Sequence, residues 1–203
     1  VNGDGKPDVL TADLNDATIS LLLGNGDGTL KARQTVTSGP LPFGITVADL
    51  NRDGKVDLAV TNGDPTNTVS IMLGNGNGTF QPPGVTFVGT SHGSVAVGDF
   101  NLDGRPDAVV ANGGSGNVNA LRGAGTGSFA ANASFAAGTS PSAVSVADVN
   151  RDGRPDILVA NGGAGNIGVL LGNGDMTFQA QATYATGATP KSFAVADVNG
   201  DGR

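Results

Sequence analysis

The sequence predicts an all-β protein made of β-propeller-type repeats, each of about 49 residues with four antiparallel strands. Three observations support this fold class. An Asp-rich loop recurs along the chain, with its first Asp at 49, 99, 148 and 197. Short alternating or apolar runs separate successive loops. Glycine supplies 34 of the 203 residues, which favours many tight turns and disfavours long helices.

One predicted strand precedes each loop and another follows it. The strand before the loop alternates between apolar and polar residues, as expected of a strand with one buried face. It is predicted at 45–47, 95–97, 144–146 and 193–195. The strand after the loop is mostly apolar, as expected of a strand covered on both faces. It is predicted at 9–12, 58–61, 108–111 and 157–160.

Two further strands complete each period. An Asn-Gly turn such as Asn62-Gly63 leads to the third strand, which is predicted at 18–23, 68–73 and 167–171. A glycine-rich hairpin comes next. The fourth strand is predicted to begin after this hairpin, at Leu30, Phe80, Phe129 and Phe178. Four antiparallel strands per period of this length are typical of one propeller blade.

The whole chain is predicted to be a single repeat array. The repeats are assigned to residues 1–44, 45–94, 95–143 and 144–192, and residues 193–203 begin a further repeat. Residues 1–6 and 198–203 are nearly identical segments, and both lie within the recurring loop. Because domain boundaries seldom divide a functional loop, we expect the chain to be a segment of a longer array. That array is expected to be a larger propeller or an open stack of repeats.

The recurring loop has the spacing D-x-N-x-D-G-x-x-D. Side-chain oxygens stand at loop positions 1, 3, 5 and 9, glycine at position 6 permits a sharp turn, and a backbone carbonyl is available at position 7. We number the loops 1 (residues 1–8), 2 (49–57), 3 (99–107), 4 (148–156) and 5 (197–203). The predicted metal ligands, in which Lys and Arg contribute their backbone carbonyls, are Asn2, Asp4, Lys6, Asp8, Asp49, Asn51, Asp53, Lys55, Asp57, Asp99, Asn101, Asp103, Arg105, Asp107, Asp148, Asn150, Asp152, Arg154, Asp156, Asp197, Asn199, Asp201 and Arg203.

Calcium is the expected ion, at about one per repeat. Each complete loop brings three carboxylates together, which is costly unless a cation neutralises them. An EF-hand is excluded because it needs a Glu at loop position 12, and the chain contains no Glu. Magnesium is disfavoured because it prefers a small octahedron that retains several waters. The alternative is that the Asp and Asn side chains serve Asx turns alone.

These residues resemble the FG-GAP/VCBS repeat family. The resemblance rests on LLGNGDGT at 22–29, LGNGNGTF at 73–80, LLGNGDMTF at 170–178 and the recurring loop, and it covers essentially the whole chain. It implies calcium loops between the first and second strands of each blade. It also implies an extracellular location and a role in adhesion or surface architecture. Propellers of this family usually have seven blades, whereas this chain contains four periods.

The expected function is that of a calcium-binding, extracellular structural or adhesive repeat protein, in its most specific form a segment of a surface fibre or filament. The alternative is a carbohydrate-binding or other ligand-binding propeller, although sugar sites usually contain aromatic platforms and the chain has no Trp. An enzyme is not expected, because there is no Cys and His92 is the single imidazole.

The expected partners are neighbouring repeats or copies of the same chain, with surface glycans or proteins as further possibilities. Nucleic acid is not expected as a partner because the formal net charge is -7. Membrane insertion is not expected either, because the longest apolar runs are only a few residues. Asn77 and Asn132 lie in glycosylation sequons, although the position of Asn77 in a tight hairpin favours a plain turn role.

Overall fold

The computed structural model describes residues 1–63, 66–89 and 93–200, with all their side chains except those of residues 131 and 132. These residues form fifteen strands in four antiparallel sheets, which we number 1 to 4 along the chain. Within the described ranges, no helix has the length and apolar character needed to cross a membrane. The predicted all-β class is confirmed.

Each sheet consists of strands that are consecutive in the chain. Sheet 1 contains β1 (Val9–Asp13), β2 (Thr18–Leu22) and β3 (Gln34–Thr37). Sheet 2 contains β4 (Pro42–Ala48), β5 (Asp57–Asn62), β6 (Thr68–Met72) and β7 (Gly84–Phe87). Sheet 3 contains β8 (Val95–Gly98), β9 (Asp107–Asn112), β10 (Asn117–Gly123) and β11 (Phe129–Ala136). Sheet 4 contains β12 (Pro141–Ala147), β13 (Asp156–Asn161), β14 (Asn166–Leu170) and β15 (Ala182–Ala185).

The second strand of each four-stranded sheet is the most deeply buried element. All six residues of β5, of β9 and of β13 are buried, as their apolar sequences predict. Each of these strands pairs on one side with the strand before the loop and on the other side with the third strand. The predicted second strands agree with the observed ones to within one residue at each end.

The core lies between successive sheets. Ile19 of sheet 1 packs in one cluster with Leu58, Val60 and Met72 of sheet 2. A second cluster joins sheets 2 and 3, and a third joins sheets 3 and 4. In the third, the ring of Phe100 meets the ring of Phe178 edge to face, with 5.4 Å between centroids. Each repeat therefore buries its apolar surface against the next one, as in a propeller or another repeat fold.

A polar side chain ends the second strand of each repeat, and it is fully buried in repeats 2 to 4. The Asn62 amide nitrogen donates a hydrogen bond to the Ser70 hydroxyl at 2.7 Å, and Asn62 has no exposed surface. The same place is taken by Asn112 and Asn161. Asp13 holds this place in repeat 1, where it accepts a hydrogen bond from the Ser20 hydroxyl at 2.5 Å. In repeats 2 to 4, the Asn that begins the turn after the second strand (Asn62, Asn112 or Asn161) is thus the last residue of that strand.

Three strand predictions are wrong. The fourth strands β3, β7 and β15 begin four residues later than expected. Leu30, Phe80 and Phe178 form only isolated bridges, with Gly24, Gly74 and Gly172, and the chain then leaves the ladder for three residues. In repeat 2 this excursion includes Pro82 and Pro83, which have no N–H to donate. In repeat 3 a bulge opposite Ala120 and Leu121 keeps the ladder continuous, and β11 begins at Phe129 as predicted.

One predicted strand is absent from the described residues. Residues 193–195 form no strand, whereas sheet 1 has the three strands that were predicted for repeat 1. In repeats 2 to 4 the strand before the loop pairs with the strand after it. For 193–195 the following strand would lie beyond Arg203, so this segment has no ladder partner within the described residues, whereas β1 pairs with β2.

Candidate metal sites

Loops 2, 3 and 4 connect the first strand of each repeat to the second. Loop 2 follows β4, and its last residue, Asp57, is the first residue of β5. Glycine at position 6 adopts a left-handed backbone, with φ of +80° at Gly54. Position 4 is also left-handed, although it carries a side chain in loops 2 to 4, where Arg52, Leu102 and Arg151 have φ of 64°, 57° and 62°. These two turns curl the loop around the side chains of its odd-numbered positions.

Position 4 is a requirement that the motif spacing did not reveal. A left-handed residue other than glycine carries a steric cost. The sequence contained a signal for it, because the same position is Gly3 in loop 1 and Gly200 in loop 5, and both have positive φ. Comparison of all five loops at this position would have predicted the turn.

The side chains at positions 1, 3 and 5 point into the loop. In loop 2 the backbone N–H of Asp53 donates to Asp49 Oδ1 and to Asn51 Oδ1, both at 3.1 Å. The N–H of Gly54 donates to Asp49 Oδ2 at 2.8 Å, and the N–H of Lys55 donates to Asp53 Oδ1 at 2.9 Å. Loops 3 and 4 repeat all four bonds within 0.1 Å. Oxygens from positions 1 and 3 are therefore gathered around a single backbone nitrogen.

The Asp at position 9 has a structural contact that sequence reasoning missed. Asp57 is fully buried, and its Oδ2 accepts a hydrogen bond from the N–H of Leu50, at position 2 of the same loop, at 2.8 Å. Its Oδ1 accepts another from the N–H of Gly74, the first residue of the hairpin, at 2.8 Å. Asp107 and Asp156 make the same pair of bonds. This carboxylate closes the loop and ties it to the hairpin of its own repeat.

The two terminal loops are less complete. In loop 1 the Asn2 carboxamide oxygen accepts a hydrogen bond from the Asp4 N–H at 3.3 Å, and Asp4 Oδ1 accepts one from the Lys6 N–H at 3.0 Å. Asp8 accepts from the Gly24 N–H and pairs with the amino group of Val1. In loop 5 the Gly200 N–H donates to Asp197 Oδ1 at 2.8 Å, and Asn199 lies within the described part. The predicted ligands Asp201 and Arg203 lie outside the described residues, as does His92.

The acidic side chains do not converge at one point. Among the described residues, no group of three or more His, Cys, Asp or Glu lies close enough to hold a metal ion. Positions 1, 3 and 5 are drawn together by the loop backbone, whereas position 9 is engaged with the two amides described above. A carboxylate oxygen has more than one lone pair, so these bonds leave acceptor capacity at position 9.

The two predicted sequon residues differ in how far the structure describes them. Asn77 Oδ1 accepts hydrogen bonds from the N–H and the hydroxyl of Thr79, at 3.0 and 2.7 Å. This is the turn role expected for it. Asn132 lies in β11, and its side chain is outside the described part of the chain.

The loop contacts shift the pKa values of the carboxyl groups. The backbone N–H of Lys55 lowers the pKa of Asp53, and the N–H of Arg105 does the same for Asp103. A hydrogen bond from the Asn2 side chain lowers the pKa of Asp4. Burial raises the pKa of Asp107, even though that carboxylate accepts two backbone hydrogen bonds. Loops 1, 2 and 3 therefore favour an ionised carboxylate at position 5.

The calcium-free protein is expected to lose stability as the pH falls below about 4. A carboxyl group whose folded pKa is lowered contributes stability above its unfolded pKa, and that contribution is lost as the pH falls through the folded value. Lowered values are found at Asp4, Asp8, Asp13, Asp27, Asp53, Asp103 and Asp175, against an unperturbed 3.8. Asp107 acts in the opposite sense, since a raised pKa favours the folded state at low pH. Urea unfolding in chelator between pH 6 and pH 2 tests this, and a rise in stability on acidification would contradict it.

The hairpins of sheets 2 and 4 also contact the loop of the preceding repeat. In sheet 4 the Gly172 N–H donates to Asp156 of its own loop at 2.8 Å. Four residues later, the Met176 N–H donates to the carbonyl of Phe100, at position 2 of loop 3, at 3.2 Å. In the first junction, a Cβ added at Gly3 of loop 1 would lie 3.6 Å from the carbonyl of Gly76 in the hairpin of sheet 2. The hairpins thus link successive loops along the array.

Four antiparallel sheets pack against one another in chain order, and each repeat contains the same Asp-rich loop. These features define a β-propeller-type repeat protein. The sequence model of the FG-GAP-like repeat matches the chain four times, at residues 1–60, 49–110, 99–159 and 148–203. The chain belongs to this family. No curated protein sequence matches it.

Solved structures share the fold. BBS1N in complex with ARL6DN, from a crystal soaked with lead, superposes with a TM-score of 0.63 at 19% identity, covering 93% of this chain and 55% of that one. The mercury-soaked crystal of the same complex gives 0.62 at 22% identity, covering 93% and 56%. A functionally unknown protein from Desulfotomaculum acetoxidans DSM 771 gives 0.64 at 14% identity, covering 90% and 54%. The chain spans a little over half the length of these structures, and its four sheets form an open part of a propeller.

Proposed function

We propose that this chain is a calcium-binding, extracellular structural or adhesive repeat segment whose loops brace its repeats. One observation carries the proposal. In loops 2, 3 and 4, side-chain oxygens of positions 1 and 3 meet at one backbone N–H, and the carboxylate of position 5 follows on the same inner side of the curled backbone. Carboxylate and carboxamide oxygens arranged in this way suit a hard cation such as Ca²⁺.

The residues have distinct roles in this proposal. The side chains of positions 1, 3 and 5 and the carbonyl of position 7 bind the ion, and a bound calcium supplies the positive charge that offsets the crowded carboxylates. Position 9 holds the loop closed through the N–H of position 2 and the N–H of the hairpin glycine. Because the same hairpin touches the previous loop, stabilisation of one loop extends to the junction between repeats.

The net charge is consistent with this role. The formal charge of the chain is -7, and three calcium ions in the three complete loops would add +6 and leave -1. A nearly neutral particle avoids the self-repulsion that a large net charge imposes on a compact fold. If free calcium is about ten times Kd, each site adds roughly 1.4 kcal/mol of stability.

Calcium binding is expected to raise the melting temperature and to saturate at three ions per chain. Isothermal titration calorimetry with calcium chloride measures the stoichiometry, and differential scanning calorimetry in calcium, in magnesium and in chelator measures the stabilisation. Asp99→Ala should remove one site, because it deletes position 1 of loop 3. Asp16→Ala, a matched loss of an acidic residue outside the loops, should leave three sites. The absence of calcium binding at millimolar concentration would refute the proposal.

The structural role is tested separately by electron microscopy of the native material. Fibres that fall apart in chelator would support a calcium-braced polymer built of this chain. Compact rings that persist in chelator would instead favour a propeller that binds a partner. BBS1N, which has the same fold, is in complex with a protein partner, and this gives a protein ligand precedence over a glycan as the first partner to seek.

A further inference from the structure

Repeat 3 differs from the other repeats at the residue directly before the hairpin. This position is Leu23, Leu73 and Leu171 in repeats 1, 2 and 4, and it is Arg122 in repeat 3. Leu23 and Leu73 lie against the hairpin of the following repeat, where Cβ atoms added at Gly78 and Gly127 would come within 3.6 and 2.3 Å of them. Arg122 is exposed instead, so the third junction has no leucine at this place.

The guanidinium of Arg122 turns towards loop 3. Its Nη2 lies 3.5 Å from Oδ2 of Asp103, the position-5 carboxylate of that loop. A cleft of about 320 Å³ opens beside them, between loop 3 and the hairpin of sheet 4. Its walls include Asn101, at position 3 of the loop, and Asp175 of the hairpin. A fixed positive charge therefore stands next to two of the side chains that would bind calcium in this loop.

Loop 4 provides the internal reference. Its position-5 residue, Asp152, makes no ion pair within the described part of the chain. The residue corresponding to Arg122 is Leu171, which lines a cavity with Asn150, at position 3 of loop 4. Loop 2 has a cation of its own beside position 5, because Lys55 Nζ lies 3.5 Å from Asp53 Oδ2. The loops are alike in backbone and differ in the cation beside position 5.

We propose that Arg122 is an affinity-determining residue that makes loop 3 a weaker calcium site than loop 4. This inference rests on the proposed calcium binding. The Arg122 guanidinium forms an ion pair with the carboxylate that a bound ion requires. Once the ion is bound, the guanidinium repels the ion's charge at short range. The site is partly exposed, so the interaction is modest, and the expected effect on Kd is about threefold to tenfold.

Calorimetric titration of the whole chain with calcium chloride tests the inference. Arg122→Leu and Arg122→Gln should both lower the Kd of the loop 3 site about threefold to tenfold. Arg122→Lys should leave this Kd nearly unchanged because the charge is retained. In an Asp99→Ala background, which lacks the calcium site of loop 3, Arg122→Gln should leave the affinities of the remaining sites unchanged. The reciprocal variant Leu171→Arg should weaken loop 4 by a similar factor, and Leu171 is only partly buried, so the fold is expected to tolerate the change.

The outcomes separate the inference from the proposed function. If the native chain binds calcium but Arg122→Gln leaves all affinities unchanged, the role of Arg122 is refuted and calcium binding stands. An equal gain in affinity in the Asp99→Ala background would also refute it, because the effect would not come from loop 3. If the native chain binds no calcium, the proposed function fails and this inference fails with it.

Discussion

Replacement of Gly123 by alanine is expected to lower the free energy of unfolding by about 3 kcal/mol. An added Cβ would lie 1.9 Å from the carbonyl oxygen of Pro106, far inside van der Waals contact. That carbonyl cannot easily move, because the next residue, Asp107, is held by two backbone hydrogen bonds. The same contact recurs at Gly24, Gly74 and Gly172, with distances of 2.1, 2.0 and 2.2 Å. Urea unfolding in saturating calcium measures the effect.

Gly187→Ala is the matched control. A Cβ at Gly187 would meet nothing within 4 Å, and its φ is not in the left-handed region. Its stability should therefore change by less than about 0.5 kcal/mol. Equal losses for the two variants would show that glycine matters at these positions through chain flexibility, and the steric argument for Gly123 would be wrong.

Replacement of Asp107 by alanine is expected to cost about 3 to 5 kcal/mol even when no calcium is present. The change leaves the N–H groups of Phe100 and Gly123 without their buried acceptor, and both bonds are to a charged group. It also frees loop 3 from the hairpin of its own repeat. Urea unfolding in chelator isolates this structural contribution from any loss of metal binding.

Asp103→Ala is the companion variant. The Asp103 carboxylate accepts hydrogen bonds from the Asn101 side chain and the Arg105 N–H and is partly exposed, so its removal should change stability little in chelator. In calcium, both variants should lose the loop 3 site. If Asp107→Ala is as stable as Asp103→Ala in chelator, position 9 is a ligand without the structural role assigned to it here.

The residue pattern was sufficient for the elements that repeat in type and depth. The runs at 58–61, 108–111 and 157–160 predicted the central strands because each is covered on both faces and its sequence is mostly apolar. The loop spacing identified the curled connection between the first and second strands. These features depend on local composition and on contacts that every repeat reproduces.

Features that depend on contacts distant in sequence could not be predicted. The fourth strands start late because the chain leaves the ladder after Leu30, Phe80 and Phe178, and the repeated motif does not show where the chain returns to the ladder. The dual bonding of Asp57 joins residues 7 and 17 positions apart, so the motif marks the carboxylate without revealing its partners. Arg122 was visible as a departure from leucine, but its position beside Asp103 required the fold.

The link between each hairpin and two successive loops has an evolutionary consequence. The hairpin of sheet 4 bonds to Asp156 in its own loop and to Phe100 in the preceding one. The chain segment that holds both of these contacts runs from Phe100 to Met176, and it crosses the boundary between two sheets. Unequal recombination between equivalent positions of two loops would add or delete whole repeats, and the contacts between each hairpin and the preceding loop would be kept. Recombination between equivalent positions of two loops is thus a route by which the number of repeats in such an array can change.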